Sequence, residues 1–198
     1  MVDSRQSNDW KQRTIEHRDA GRFSAALLAI ERHFDRHPDD SWTWFEFASL
    51  LIHVGRLDDA AKLLSDTEPG SDDDLRFPLL SVRINLCKAR GNSRDEEKWS
   101  RVLMNEMPGQ SHGYIYLGCC LARQGKLIEA EETLRRGTEC EGAPEEAFFN
   151  LGNVLCALER FADAKNAMEN ALRLDPDYAV AKTKLDDIVA CLQIQQTK

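Results

Sequence analysis

The sequence lacks any long apolar run. Its longest, near residues 25–30, is far too short to cross a bilayer, so membrane insertion is not expected. Residues 1–7 are polar and carry no apolar core of the secretory type, which predicts a cytoplasmic protein. Paired cysteine motifs are missing as well. The six cysteines (87, 119, 120, 140, 156 and 191) match no CxxC spacing, and no histidine stands at zinc-finger distance from them. Reduced thiols are expected, with Cys87 and Cys120 as small packing groups. No cluster of Lys and Arg is long enough to hold a phosphate backbone, and 34 acidic residues against 26 basic ones give a net charge of −8, which repels one. Nucleic acid is therefore not an expected partner. Glycine-rich phosphate loops, GxSxG and Cys–His nucleophile contexts are also missing. His33 and His37 lie four apart without the glutamate or third ligand of a metal site. The expectation is a protein without catalytic residues, metal or cofactor.

What is present is a ladder. Trp10, Trp44, Leu80, Tyr114 and Phe148 recur at a step of 34 residues, with two extra residues between the second and third. Eleven positions after each stand Gly21, Gly55, Gly91, Gly125 and Glu159, and five further on Ala26, Ala60, Glu96, Ala130 and Ala164. Pro38, Asp72, Pro108, Gly142 and Pro176 close the units. A period of this length is the mark of a solenoid. Within a unit, Phe148, Leu151, Gly152 and Leu155 share one helical face, a turn follows at Glu159–Arg160, and Ala164, Met168, Ala171 and Leu172 stripe a second helix. Glycine after the first helix suits a left-handed C-terminal cap, and proline after the second stops it.

These residues carry a family resemblance. Leu151-Gly152, Leu155, Ala164, Met168, Ala171 and Pro176 resemble the tetratricopeptide repeat, as do Trp44, Phe47, Ala48, Leu51 and Ala60 in the second unit. The resemblance implies an all-α, right-handed superhelical solenoid of five helix pairs plus a C-terminal capping helix. The expected organisation is a flexible tail at 1–6, units at 7–40, 41–74, 77–110, 111–144 and 145–178, and a capping helix and tail at 179–198. The third unit is degenerate: it has Arg83-Ile84 at the usual Leu-Gly position and Glu96 in place of the small alanine. Before it lies an acidic, breaker-rich segment at 69–74, read either as a hinge or as a solvated loop capping the next helix.

In this family the first helix of each unit lines a concave face. Projecting its inward positions gives Trp42, Phe45, Glu46, Ser49, Ile52 and His53 in the second unit and Ser81, Val82, Asn85 and Lys88 in the third; the next two give His112, Ile115, Tyr116, Cys119 and Arg123, then Glu146, Phe149, Asn150 and Asn153. Trp42 and Phe45 are expected as apolar anchors, and Tyr116 with Phe149 as a second apolar patch. Asn85, Asn150 and Asn153 offer amides to an extended backbone, while Arg123 and Lys184 would meet ligand carboxylates. A two-carboxylate clamp, used by part of the family for acidic chaperone tails, is not expected, because Ile15 and Glu46 occupy two of its positions. The implied function is a non-catalytic module that holds a peptide or helix of another protein, as adaptor, assembly factor or chaperone. The alternatives are a scaffold that homodimerises through the convex face or C-terminal helix, and a secretion-type chaperone of bacteria.

Overall fold

A computed structural model describes residues 4–38, 40–65 and 73–196. Among these residues the secondary structure is helical, in two compact units, 1–92 and 93–198. The first holds α1 (Ser4–Asp19), α2 (Phe23–Phe34), α3 (Ser41–His53), α4 (Leu57–Ser65) and α5 (Asp73–Ala89). The second holds α6 (Ser93–Glu106), α7 (Ser111–Arg123), α8 (Leu127–Gly137), α9 (Pro144–Ala157), α10 (Phe161–Leu174) and α11 (Ala179–Gln196). Two expected boundaries move. α1 starts at Ser4, so residues 4–6 are helical rather than part of a tail, and α5 starts at Asp73, ahead of the expected 77. The hinge segment at 69–74 falls outside the described residues at 69–72, and its last two aspartates open α5.

The turn inside each pair follows from one backbone geometry. Gly21, Gly55, Gly91 and Gly125 sit at φ +70°, +80°, +68° and +77°, and Glu159 adopts the same left-handed region at +60°. The next residue then bonds back over a full turn: Arg56 N–H to the Leu51 carbonyl at 2.8 Å, Lys126 to Leu121 at 3.0 Å and Arg160 to Leu155 at 2.9 Å. This six-residue closure satisfies carbonyls that the helix end would otherwise leave open. The second helix starts at once, because the carbonyls of Arg56, Lys126 and Arg160 accept the N–H groups of Ala60, Ala130 and Ala164.

Those alanines are fully buried, as is Ala26. In the first unit they join Ile30, Ala48, Leu51, Leu64, Val82 and Leu86 in one core. The second unit packs Leu117, Leu121, Leu134, Leu151, Leu155, Met168, Ala181 and Ile188. Gly118 shows why a small residue is needed at its place, since a Cβ there would lie 2.5 Å from Leu134 Cγ. The aromatic rungs have a second role. Trp44 Nε1–H donates to the Pro38 carbonyl at 2.5 Å, and Tyr114 O–H donates to the Pro108 carbonyl at 3.2 Å. Each ring thus ties the start of its helix to the breaker that ended the previous unit.

Charges link successive units along the turns. Arg56 reaches back to Glu31 at 2.8 Å, Arg90 to Asp58 at 2.6 Å, Lys126 to Glu97 at 3.2 Å and Arg160 to Glu131 at 2.8 Å. Such exposed pairs are individually weak and act mainly on register. A buried polar knot joins the first three helices. His33, 1 % exposed, donates from Nε2 to Asp40 Oδ2 at 3.2 Å; Lys11 pairs with the same oxygen at 2.7 Å, and Thr43 donates to it. Burial opposes the Asp40 charge, but hydrogen bonds from Lys11, Thr43 and His33 hold its carboxyl at about 2. For His33 burial wins over the pull of Asp40 and pushes the imidazole below its ordinary range. Its Nδ1 is buried with no hydrogen-bond partner, so a second ring proton would have nothing to bond.

Two outcomes follow. Glu159→Gly relieves the left-handed strain and should stabilise the chain by about 0.5–1 kcal/mol, while Gly125→Ala should cost about 1 kcal/mol, both read from urea midpoints. At Gly125 nothing lies within 4 Å of an added Cβ, so the loss there would be conformational alone. The second concerns pH. The folded pKa of His33 lies below its unfolded 6.5, so its contribution is complete above that value and is lost as pH falls beneath it. Asp40 adds a further loss only as pH falls from 3.8 toward 2. The urea midpoint should therefore be lower at about pH 5.5 than at about pH 7.5. This step should shrink in His33→Gln; a step of equal size in that variant would remove His33 as the cause.

Candidate functional site

In the first unit the inward positions of α3 and α5 enclose a hollow of about 330 Å³. Ser49, Ile52 and His53 come from α3, and Val82, Asn85, Lys88 and Ala89 from α5. All but Ala89 are among the projected groove positions. Val82 is buried and joins the core, whereas Lys88 is exposed and Asn85 half-buried. The His53 ring stacks on Phe23, centroids 3.7 Å apart, which fixes one wall. Trp42 and Phe45 do not line the hollow. Both are half-buried and pack against the first core, and Lys11 Nζ stands 5.1 Å from the Trp42 ring centroid. Their aromatic surface is largely in use within the unit.

The second unit brings α7, α9 and α11 residues together. Asn150 donates to the Glu146 carbonyl at 2.9 Å and accepts from the Cys119 thiol at 3.3 Å, so both ends of its amide are engaged. Phe149 meets the Tyr178 ring at 5.2 Å. Tyr178 stands in the turn before α11, outside the first helices, and was not among the projected positions. Burial first, and the carboxylates of Glu146, Glu145 and Asp175 next, push its hydroxyl up. Tyr116 and Asn153 are half-buried, as is Lys184, whose charge acts on Cys156.

Arg123 was expected to meet a ligand carboxylate and instead pairs with Glu96, which is 3 % exposed. This contact also explains the odd glutamate of the third unit: Arg123 compensates a carboxylate placed where the other units bury alanine. Glu46, at one of the two altered clamp positions, is likewise buried and held by Arg18 at 2.8 Å. Burial pushes the thiols of Cys120, Cys140 and Cys156 up, which keeps them protonated and poorly nucleophilic. The half-buried and exposed residues on these faces combine hydrogen-bonding side chains with apolar floors, an arrangement suited to holding a ligand. Among the described residues no helix is long and apolar enough to cross a membrane.

Comparison with known proteins agrees with this architecture. Family models of the tetratricopeptide repeat match residues 15–74 and 145–178. A search of curated proteins finds no match. Among solved structures, a thermophilic tetratricopeptide repeat protein of Thermus thermophilus superposes with a TM-score of 0.75 at 15 % identity, covering 93 % of this chain and 99 % of its own. A tetratricopeptide repeat protein of Parabacteroides merdae gives 0.73 at 18 % identity, covering 91 % and 70 %. YrrB, described as a tetratricopeptide repeat protein with an unusual peptide-binding site, gives 0.55 at 16 % identity over 86 % and 87 %. The helix pairs, the left-handed turns, the buried alanines and these matches agree: the chain carries tetratricopeptide repeats, a type of protein-interaction module, at residues 15–74 and 145–178, and its fold is that of tetratricopeptide repeat proteins.

Proposed function

We propose that the chain docks an extended segment of a partner protein on the first-helix faces of its units, without chemistry of its own. The observation that carries this reading is the hollow between α3 and α5. Ile52, Val82 and Ala89 give it an apolar floor, while Asn85 offers both a donor and an acceptor and the exposed Lys88 a positive charge at the rim. That combination suits a peptide backbone with one apolar side chain. The peptide-binding site named for YrrB supports the same use of the fold. In the second unit Tyr116, Asn153 and Lys184 take the corresponding role; Phe149, Asn150 and Arg123 shape that face through their internal partners. Trp42 and Phe45 are then the wall that holds α3 in place rather than the anchor itself. The division into units at 7–40, 41–74, 77–110, 111–144 and 145–178 belongs to this proposal, and the family match at 145–178 supports its last member. So does a cytoplasmic role as adaptor, assembly factor or chaperone.

Peptides selected on the wild-type chain from a random display library provide the test. Asn85→Ala with Lys88→Ala should weaken the selected peptides by about tenfold or more, read by fluorescence anisotropy. Equal affinity for the variant would place the site elsewhere.

A second reading has its own observation. Val180 and Ile194 are 55 % and 60 % exposed on α11, and their spacing puts them within about 40° of one line along the helix. This stripe suits self-association. Removing α11 would open the core, because Ala181 and Ile188 are buried in it. The cleaner test is sedimentation of Val180→Ser/Ile194→Ser. A concentration-dependent dimer lost in that variant supports the scaffold reading, and a wild-type monomer at all concentrations removes it.

A further inference from the structure

The second helices of four pairs open on a large apolar residue, and α6 does not. Phe23, Leu57, Leu127 and Phe161 start α2, α4, α8 and α10, and each packs against the core of its unit. α6 starts with Ser93, which is exposed. Beside it lies a hollow of about 680 Å³ lined by Ser93, Arg94, Glu97, Lys98, Arg101 and Gln124. Arg94, Lys98 and Arg101 follow one another at four and three residues, so they share one face of the helix. The repeat does not ask for three cations there: α2 has Ser24, Leu28 and Glu31 at the same places and α10 has Ala162, Asn166 and Glu169, while α4 and α8 carry one cation each, Lys62 and Arg135.

The charges are arranged around one neutralised carboxylate. Glu97 accepts from Arg101 at 2.8 Å, Gln124 at 3.0 Å and Lys126 at 3.2 Å. These donors, Arg101 foremost, hold it ionised with a carboxyl value of about 2. Among the described residues, Arg94 and Lys98 have no carboxylate partner; Lys98 only overlies the Trp99 ring at 5.1 Å. Two cations thus pair with Glu97 and two more line the same hollow, in a chain whose net charge is −8. Concentrating positive charge against the overall sign favours a negative ligand at this one place.

We propose that this face of α6 binds a short acidic segment of a partner protein in extended form. Arg94 to Arg101 spans about 10 Å along the helix, the reach of three or four residues of extended chain. Asp or Glu side chains at both ends of such a stretch meet Arg94 and Arg101, with Lys98 between them. The stems of the three cations give the backbone an apolar bed in the hollow. One helix face is too short for the many phosphate contacts that hold a nucleic acid, and the acidic remainder of the chain opposes one. This surface is separate from the hollow between α3 and α5 and does not depend on its use.

Fluorescein-labelled hexaglutamate, followed by anisotropy on the full chain, tests the proposal. At about 20 mM salt, Arg94→Glu/Lys98→Glu should weaken its binding by about tenfold or more, and about 0.3 M salt should abolish wild-type binding. Arg94→Gln/Lys98→Gln should give an intermediate loss, with helix content checked by circular dichroism. Asn85→Ala/Lys88→Ala should bind hexaglutamate like wild type, which separates this site from the docking hollow. The proposal is overturned by wild-type binding that charge reversal leaves unchanged, or by no binding at millimolar peptide. It is equally overturned if an oligothymidylate of the same charge binds as tightly, since the face would then be a general polyanion surface.

Discussion

A backbone turn at positive φ folds α1 back onto α2, α3 onto α4, α7 onto α8 and α9 onto α10 through three residues, and the rest of each compact unit depends on that reversal. With so short a connection the two helices cross near their ends, and their close approach favours alanine or glycine at the contact, Glu96 being the exception. The alanine N–H groups complete the first bonds of the second helix, so turn and contact belong to one unit of structure. Glu159 keeps the geometry without the residue best suited to it. The energy of the left-handed region is then met by the surrounding bonds, those of Arg160 to Leu155 and of Ala164 to Arg160.

Periodicity made the scaffold legible because it reflects constraints that every unit shares. The turn residues, the small contact positions and the two stripes could be read at fixed offsets, and the inward positions of α3 and α5 do enclose a hollow. Individual side-chain partnerships were not legible in the same way. A period assigns a residue to a face but does not say which neighbour lies opposite. Arg123 is taken up by Glu96, 27 residues away, and Asn150 by Cys119, 31 residues away, in both cases through contacts between adjacent units. Phe149 is covered by Tyr178, which belongs to a turn that no helical projection includes. Glu96 was visible as an irregularity, and its burial supplied the reason only once Arg123 was seen beside it.

The two units use their departures from the repeat differently. In the first, buried polarity holds α1, α2 and α3 through Asp40, with the imidazole of His33 kept neutral in the knot. In the second, apart from Glu159, the departures lie on α6, where a serine replaces the usual apolar plug and Arg101 and Lys126 pair with Glu97. The first device concerns cohesion alone. The second places Arg94 and Lys98 on an exposed face where, among the described residues, neither has a carboxylate partner.

The hydrogen bond from the Trp44 indole to the Pro38 carbonyl makes that ring a fixed point, with Phe34 set edge-on 5.2 Å away. Its counterpart in the second unit is a phenol, on Tyr114. Trp10, Trp42 and Trp44 all belong to the first unit, and Trp99 alone represents the second. The chain thus carries its own optical labels in unequal number. Indole emission reports chiefly on residues 1–92, and a variant keeping Trp99 alone would let light of the same colour follow the other half by itself.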